Sequence, residues 1–333
     1  MSESGNSVHA IETHDLTRRY GRLLAVDHLN LQVPRGALFG FIGPNGAGKT
    51  TTLRMLAGLL EPSAGEIWVN GQRIDQDWRA TRQAIGYMPD FFGVYNDMLV
   101  WEYLDFFARC YQMPTARRTT MVDELLDLVN LTDKREANVQ ALSRGMQQRL
   151  CLAHALVHDP QILLLDEPAS GLDPRARVEM RELLKELAAM GKTIIISSHI
   201  LAELAEMCTQ IGIVEKGQLV ACGALTDIRL KLQASRVLRV RMLADEAQAL
   251  EFLRQGTLAF GQTDASARLG EPTVISDLGH PGATLEVELS GDDQTAAALL
   301  AHLVSRGAPI ADFHEANNAL EELFLRLTEP ESA

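Results

Sequence analysis

Residues 43–50 read Gly43-Pro44-Asn45-Gly46-Ala47-Gly48-Lys49-Thr50, a G-x-x-x-x-G-K-[ST] loop. It follows the apolar run Leu38-Phe39-Gly40-Phe41-Ile42 and precedes a helical run that opens at Lys49. Glycines let such a loop curl until successive N–H groups converge on a polyphosphate. The helix N-terminus behind it adds unpaired N–H groups and partial positive charge. Lys49 then reaches the β- and γ-phosphates, and the Thr50 hydroxyl holds Mg²⁺. The competing reading is a glycine-rich turn that binds nothing, and it leaves the full match between a strand and a helix unexplained. A triphosphate-binding α/β layer is the fold this segment demands. Its phosphate-binding set is Gly43, Pro44, Asn45, Gly46, Ala47, Gly48, Lys49, Thr50 and Thr51.

At 333 residues the chain has room for two cored domains. No run reaches the roughly 18 apolar residues of a membrane span. The polar opening, residues 1–7, lacks signal-peptide features and reads as a frayed tail. We therefore expect a cytoplasmic protein, held to a membrane only through a partner. Cys110, Cys151, Cys208 and Cys222 are widely spaced and read as reduced thiols. The net charge of −13 is uneven: residues 236–333 carry 7 Arg, no Lys and 16 Asp plus Glu, a net of −9, leaving −4 for the rest. An acidic, lysine-free domain suits neither phosphate backbones nor anionic headgroups, so no direct nucleic-acid partner is expected.

Short apolar runs over residues 8–42, broken by Gly21, Pro34 and Gly36, predict strands and turns. Helical periodicity takes over from Val94 to Asp159, and strands return at Ile162–Leu165, Thr193–Ser197 and Ile211–Val214 around a helix over Arg175–Met190. The predicted domains are a nucleotide-binding unit over 8–230 with a helical subdomain at about 93–160, a linker at 231–236 and an accessory domain over 237–333. Leu225–Ser235 reads as a helix leading into the linker. Beyond it we expect strands at Val237–Leu243, Leu285–Leu289 and Ile310–Phe313, and helices at Asp245–Gln255, Thr295–Ser305 and Leu320–Leu327. With a weaker strand at Leu258–Phe260 or Thr273–Ile275, the order suggests a small α+β, ferredoxin-like domain.

Four apolar residues, Ile162 to Leu165, lead to Asp166-Glu167, and carboxylates at a strand's carboxyl end sit where open α/β sheets bind ligands. Asp166 is placed near Mg²⁺, and Glu167 polarises a water for in-line attack on the γ-phosphate. Without the phosphate loop, an acidic capping turn before Pro168 would be the better reading. His199, after the strand ending in Ser197-Ser198, can hydrogen-bond the γ-phosphate. Ser143, in Leu142-Ser143-Arg144-Gly145-Met146, suits a helix N-cap, which also makes an anion site.

Together these segments resemble the ATP-binding cassette (ABC) ATPases. The phosphate loop, Leu142–Met146, Asp166-Glu167, Ser170-Gly171-Leu172-Asp173 and His199 occur in that family's order over about residues 8–230. The resemblance implies ATP and Mg²⁺ as ligands and a head-to-tail dimer with a second ABC ATPase subunit, a homodimer in the simplest case. Ser143 and Gly145 of one cassette would then cover ATP held by the other, and Asp173 would link the two. Tyr20, in Thr17-Arg18-Arg19-Tyr20-Gly21, matches the residue that stacks on adenine, with an ordinary core or surface tyrosine as the alternative.

Two departures stand out. Asp90 replaces the family's usual glutamine, and is either a metal-contacting carboxylate or a loop residue out of reach. Arg144 replaces a glycine, either adding positive charge near the transferred phosphate or making a solvent-facing salt bridge; Met146 replaces a glutamine. His154 and His158 stand four apart but lack the glutamate of a zinc-helix motif, so we read them as structural. We place His158 near a helix C-terminus, where positive charge is favoured.

The resemblance further implies an ATPase that powers a polytopic membrane permease supplied by another chain, with Asp90–Tyr111 as the coupling surface. Ala319–Thr328 resembles the closing helix of cassettes in two-component, type-2 exporters that carry an extra C-terminal domain. The alternative is a non-transport ABC ATPase that remodels a macromolecule. The absence of a coiled-coil insertion, the single cassette and the acidic appended domain weigh against it. A nucleotide sensor without turnover is disfavoured by Glu167 and His199.

Overall fold

Strands of unbroken hydrophobicity are the framework, because a parallel strand covered on both faces has no solvent side to leave polar. In the computed structural model the described residues are 8–76, 78–90, 93, 97–227, 236–263, 268–275, 282–290 and 293–315. The chain divides into two compact units between Leu225 and Thr226, slightly ahead of the expected boundary at 230. The expected linker lies almost wholly outside the described residues.

The first unit opens with β1 (His9–Tyr20), β2 (Leu23–Leu29), β3 (Gln32–Pro34), β4 (Leu38–Ile42) and α1 (Lys49–Leu56). Next come β5 (Ala64–Val69), β6 (Gln72–Arg73), α2 (Trp78–Ala84) and β7 (Ile85–Met88). The helical subdomain holds α3 (Val100–Cys110), α4 (Thr115–Leu128) and α5 (Arg144–Leu156). The unit closes with β8 (Ile162–Asp166), α6 (Pro174–Ala189), β9 (Thr193–Ser198), α7 (Leu201–Ala205), β10 (Gln210–Glu215) and β11 (Gln218–Ala224). The central sheet runs β11-β10-β4-β9-β8-β7, parallel except at the β11 edge. An antiparallel sheet, β2-β1-β5-β6 with β3 beside β1, forms the second layer. Ile11, Leu16 and Leu29 from that sheet, Phe39 and Phe41 from β4, and Leu53 and Leu56 from α1 share one core.

His154 of α5 and His158, just past its end, are packing groups, as expected. His154 lies 3.7 Å, centroid to centroid, from Phe107 and meets Tyr103 edge-on, while His158 stacks on Tyr111 at 4.1 Å. His158 Nε2–H donates to the Ile85 carbonyl at 3.0 Å. The expectation that His158 profits from positive charge is overturned: burial lowers its pKa, against smaller opposing effects. Burial, aided by His158, pushes His154 down from 6.5 to about 4. A histidine held neutral in the native state binds fewer protons than its unfolded counterpart, so stability falls as pH drops from about 6.5 towards 4. Between pH 7 and 4.5 the chain should lose about 2 kcal/mol more stability than a His154→Phe variant does. Parallel urea titrations check this; matching pH profiles would remove His154 as the cause.

The second unit runs β12 (Arg236–Met242), α8 (Glu246–Thr263), β13 (Arg268–Leu269), β14 (Thr273–Ile275), β15 (Ala283–Ser290), α9 (Asp293–Ser305) and β16 (Ile310–Glu315). Its sheet order is β13-β15-β12-β16, with β14 also on β15 and every pairing antiparallel. That is the strand order of a split βαβ, ferredoxin-like unit. Leu238, Val240 and Met242 alternate onto one sheet face, where Ala249 and Leu253 of α8 and Leu299 and Leu303 of α9 cover them. Of the two candidate second strands, Thr273–Ile275 is one, whereas Leu258–Phe260 continues α8. The expected closing helix, 320–327, lies outside the described residues, as does most of the Leu225–Ser235 helix.

Candidate nucleotide site

Parallel register gathers the candidate residues. Phe41 pairs with Ser197, Ile42 with Ser198 and Asp166 with Ser197, so the chain leaves β4, β8 and β9 at one edge. Met88 pairs with Leu165, which brings Asp90 to the same edge. Ligands of open α/β sheets bind there.

In the phosphate loop, Gly48 adopts φ +99°, and a β-carbon on it would strike the Ala25 carbonyl; one on Gly43 would strike the Val214 carbonyl. The loop curls because these positions are bare. Lys49 is 6% exposed. Its Nζ donates to the carbonyls of Gly43 at 2.7 Å and Pro44 at 3.2 Å, and stands 3.6 Å from Glu167 Oε1. Burial lowers the Lys49 pKa, and Glu167 and Asp166 oppose that shift.

Ser197 pins both carboxylates at the end of β8. Its hydroxyl donates to Asp166 Oδ1 at 2.7 Å and accepts the Glu167 N–H at 3.0 Å. Asp166 is 1% exposed, and its Oδ2 is buried without a hydrogen-bond partner. Glu167 holds the left-handed region at φ 49°, a conformation costing about 1–3 kcal/mol that clusters at functional sites. Its Oε2 lies 3.0 Å from His199 Nδ1. A carboxylate only accepts, so Nδ1 carries the proton between them. Asp90 is exposed at the rim; partial burial, then Glu167 and Asp166, raise its pKa, while Arg144 and His199 pull it down.

A cavity of about 520 Å³ opens over this edge, within the range of small-molecule sites. It brings together Tyr20, Asn45, Gly46, Gly48, Lys49, Thr50, Thr51, Asp90, Glu167 and His199. Tyr20 is 44% exposed, with the Arg18 guanidinium 4.7 Å from its ring centroid. Gly43, Pro44, Ala47 and Asp166 do not line the cavity. Ser143, Gly145 and Asp173 also stand apart from it and serve local structure in this chain. Ser143 Oγ accepts the Met146 N–H at 3.4 Å, and Asp173 Oδ1 accepts the Ala176 N–H at 2.9 Å. Gly145 leaves room for Ala176 of α6. The Arg144 guanidinium rests against Gly171, and its charge is felt at Asp90. Phe91 and Phe92 lie outside the described residues.

Leu23, Ala25 and Ser170 also line the cavity. Sequence reasoning assigned none of them to the site, since β2 carries no motif and Ser170 was read only as part of its loop.

The ABC transporter family pattern matches residues 26–170. Nod factor export ATP-binding protein I of Burkholderia orbicola (strain AU 1054) is 43% identical over 218 residues, 66% of this chain and 72% of that one. An uncharacterised ABC transporter ATP-binding protein of Nostoc sp. is 38% identical over 232 residues, 67% of this chain and 69% of that one. Among solved structures, an ATP-binding subunit of an ABC transporter is similar at TM-score 0.60 and 32% identity, covering 67% of this chain and 92% of that one. A nucleotide-free ATP-binding cassette matches the fold at TM-score 0.61 and 21% identity, covering 67% and 94%. The chain belongs to the ABC transporter ATP-binding subunits. It is a P-loop ATPase that serves a transporter.

Proposed function

We propose that this chain is the motor of an exporter, binding MgATP in the cavity above β4, β8 and β9 and driving a separate membrane permease. The observation that carries the reading is that cavity, which gathers the phosphate loop, Glu167 and His199 in one place. Nod factor export is the role for which the Burkholderia relative is named. No helix among the described residues is long and apolar enough to cross a membrane, so the translocation path is assigned to a partner. The motor itself is placed on the cytoplasmic face.

Residues fit for Mg²⁺ are present. Asp166 Oδ2 is an orphaned buried oxygen at the strand end, and Thr50 and Asp90 line the adjoining cavity. Mg²⁺ commonly takes one or two protein ligands and leaves the rest to phosphate oxygens and water. Accordingly, no group of three His, Cys, Asp or Glu ligands assembles among the described residues. When bound, the ion would neutralise charge on the β- and γ-phosphates.

In the chain itself, Lys49 and the loop N–H groups hold the polyphosphate. Tyr20 offers a ring to the base. Glu167 orients and polarises the attacking water, and His199, hydrogen-bonded to Glu167, steadies the γ-phosphate end. Ser143, Gly145 and Asp173 lie off this cavity, which suits their acting on ATP held by a second copy of the chain in a homodimer.

Co-purification from detergent-solubilised membranes tests the partner class. A polytopic membrane protein should be recovered with the chain, whereas recovery of ribosomes or DNA would overturn the exporter reading.

A further inference from the structure

Two loops border the catalytic carboxylate, 168–173 after β8 and 199–200 after β9, and they do not simply pack on each other. A cavity of about 120 Å³ lies between them, with Gly171, Arg177, His199 and Glu203 in its wall. A polar chain spans the gap. Arg177, in the first turn of α6, donates from Nη2 to the Leu172 carbonyl at 3.3 Å, and its Nε stands 3.2 Å from Glu203 Oε1 in an ion pair. Glu203 sits on α7 with its side chain 15% exposed. Its other oxygen, Oε2, is 3.5 Å from Ser198 Oγ, which accepts the Ile200 N–H at 3.0 Å. Both neighbours of His199 are therefore tied, through Glu203 and Arg177, to the residue preceding Asp173.

We propose that Arg177 and Glu203 are positioning residues that couple the Leu172-Asp173 loop to the His199 loop. Displacement of the first loop then shifts His199 against Glu167. The inference rests on the reading of Glu167 and His199 as acting on ATP, and it adds a route by which the state of the Asp173 loop reaches them. Glu203 is suited to this because its carboxylate is largely withdrawn from water and faces Arg177 on one side and Ser198 on the other, where charge interactions are less screened. The guanidinium is planar, so one side chain reaches Leu172 and Glu203 together.

The structure supplies its own control. One turn further along α6, Arg181 pairs with Glu206, the residue that follows α7. If the Arg177–Glu203 pair merely staples α6 to α7, breaking it should leave kcat as unchanged as breaking the Arg181–Glu206 pair.

Steady-state ATP hydrolysis by the full-length chain, with thermal midpoints measured in parallel, separates the alternatives. Glu203→Gln should lower kcat about tenfold, less than the roughly hundredfold cost of a full 1 Å misplacement. Its KM for ATP should stay within about twofold, because groups acting only in the transition state move kcat. Glu203→Asp should recover part of the loss. Glu206→Gln should keep wild-type kcat, and because Glu206 is 60% exposed against 15% for Glu203 its thermal midpoint should fall less. Arg177→Lys, which keeps the charge but loses the fork, should lower kcat without unfolding the protein, and it provides a second route if Glu203→Gln folds poorly. Wild-type kcat in both Glu203→Gln and Arg177→Lys, or equal losses at Glu203 and Glu206, would overturn the link. A His199→Ala variant distinguishes the levels: inactivity there with full activity in Glu203→Gln removes only the link, while full activity in His199→Ala removes the reading of the site as well.

Discussion

Glu167→Gln will cut ATP turnover by about 10²–10⁴-fold, the usual worth of a positioned acid or base, while ATP remains bound. Glutamine is nearly isosteric, and the backbone N–H that anchors residue 167 to Ser197 is untouched, so the left-handed turn and Asp166 stay in place. What is lost is the negative charge of a carboxylate whose Oε1 faces Lys49 at 3.6 Å and whose Oε2 faces His199 at 3.0 Å. An amide cannot draw a proton from water as a carboxylate does. Removing a negative charge beside a polyphosphate also leaves the bound state no worse off electrostatically. The ATP-bound state, shared by two chains in the proposed homodimer, should then accumulate. Phosphate release measures the first effect, and size-exclusion chromatography with MgATP measures the second. Normal turnover in this variant would take Glu167 out of the base role.

The site was more legible in the sequence than the accessory domain, for a physical reason. The curl at Gly48 and the start of α1 at Lys49 are set by local sterics, and the buried strands by local runs of apolar residues, so β4 was bounded to the residue. β1 was not: it runs from His9 to Tyr20, but register shifts on both neighbours break the alternation that marks a strand. Leu258–Phe260, expected as one of two candidate strands, instead continues α8 to Thr263, a tertiary outcome that its short apolar run did not show. The anchoring of Asp166 and Glu167 by Ser197 was unreadable because it spans 31 and 30 residues. Arg144 illustrates the same limit. Its two expected uses were phosphate charge or surface ion pair, and contact with Gly171 follows only once α5 and the 170–173 loop are folded together.

Lys49→Ala should abolish measurable ATP binding while leaving the unliganded fold intact. Three nearby oxygens now hold the ammonium at the mouth of the phosphate loop, the carbonyls of Gly43 and Pro44 and the Glu167 carboxylate. A charged hydrogen bond contributes about 1.5–3 kcal/mol. Losing one to the β-phosphate and one to the γ-phosphate therefore predicts a weakening of at least a hundredfold. Folding responds differently. Burial depresses the Lys49 pKa despite the attraction of Glu167 and Asp166, so housing the ammonium costs the native state more than its partners return. Alanine removes that cost along with the contacts, and the thermal midpoint without nucleotide should move by no more than about 3 °C. The rise in midpoint that saturating ATP confers on the wild type by mass action should vanish. Thermal melts with and without MgATP read both quantities in one experiment. A variant that unfolds without nucleotide would make Lys49 structural, and one that keeps the ATP-dependent rise would remove it from the phosphate site.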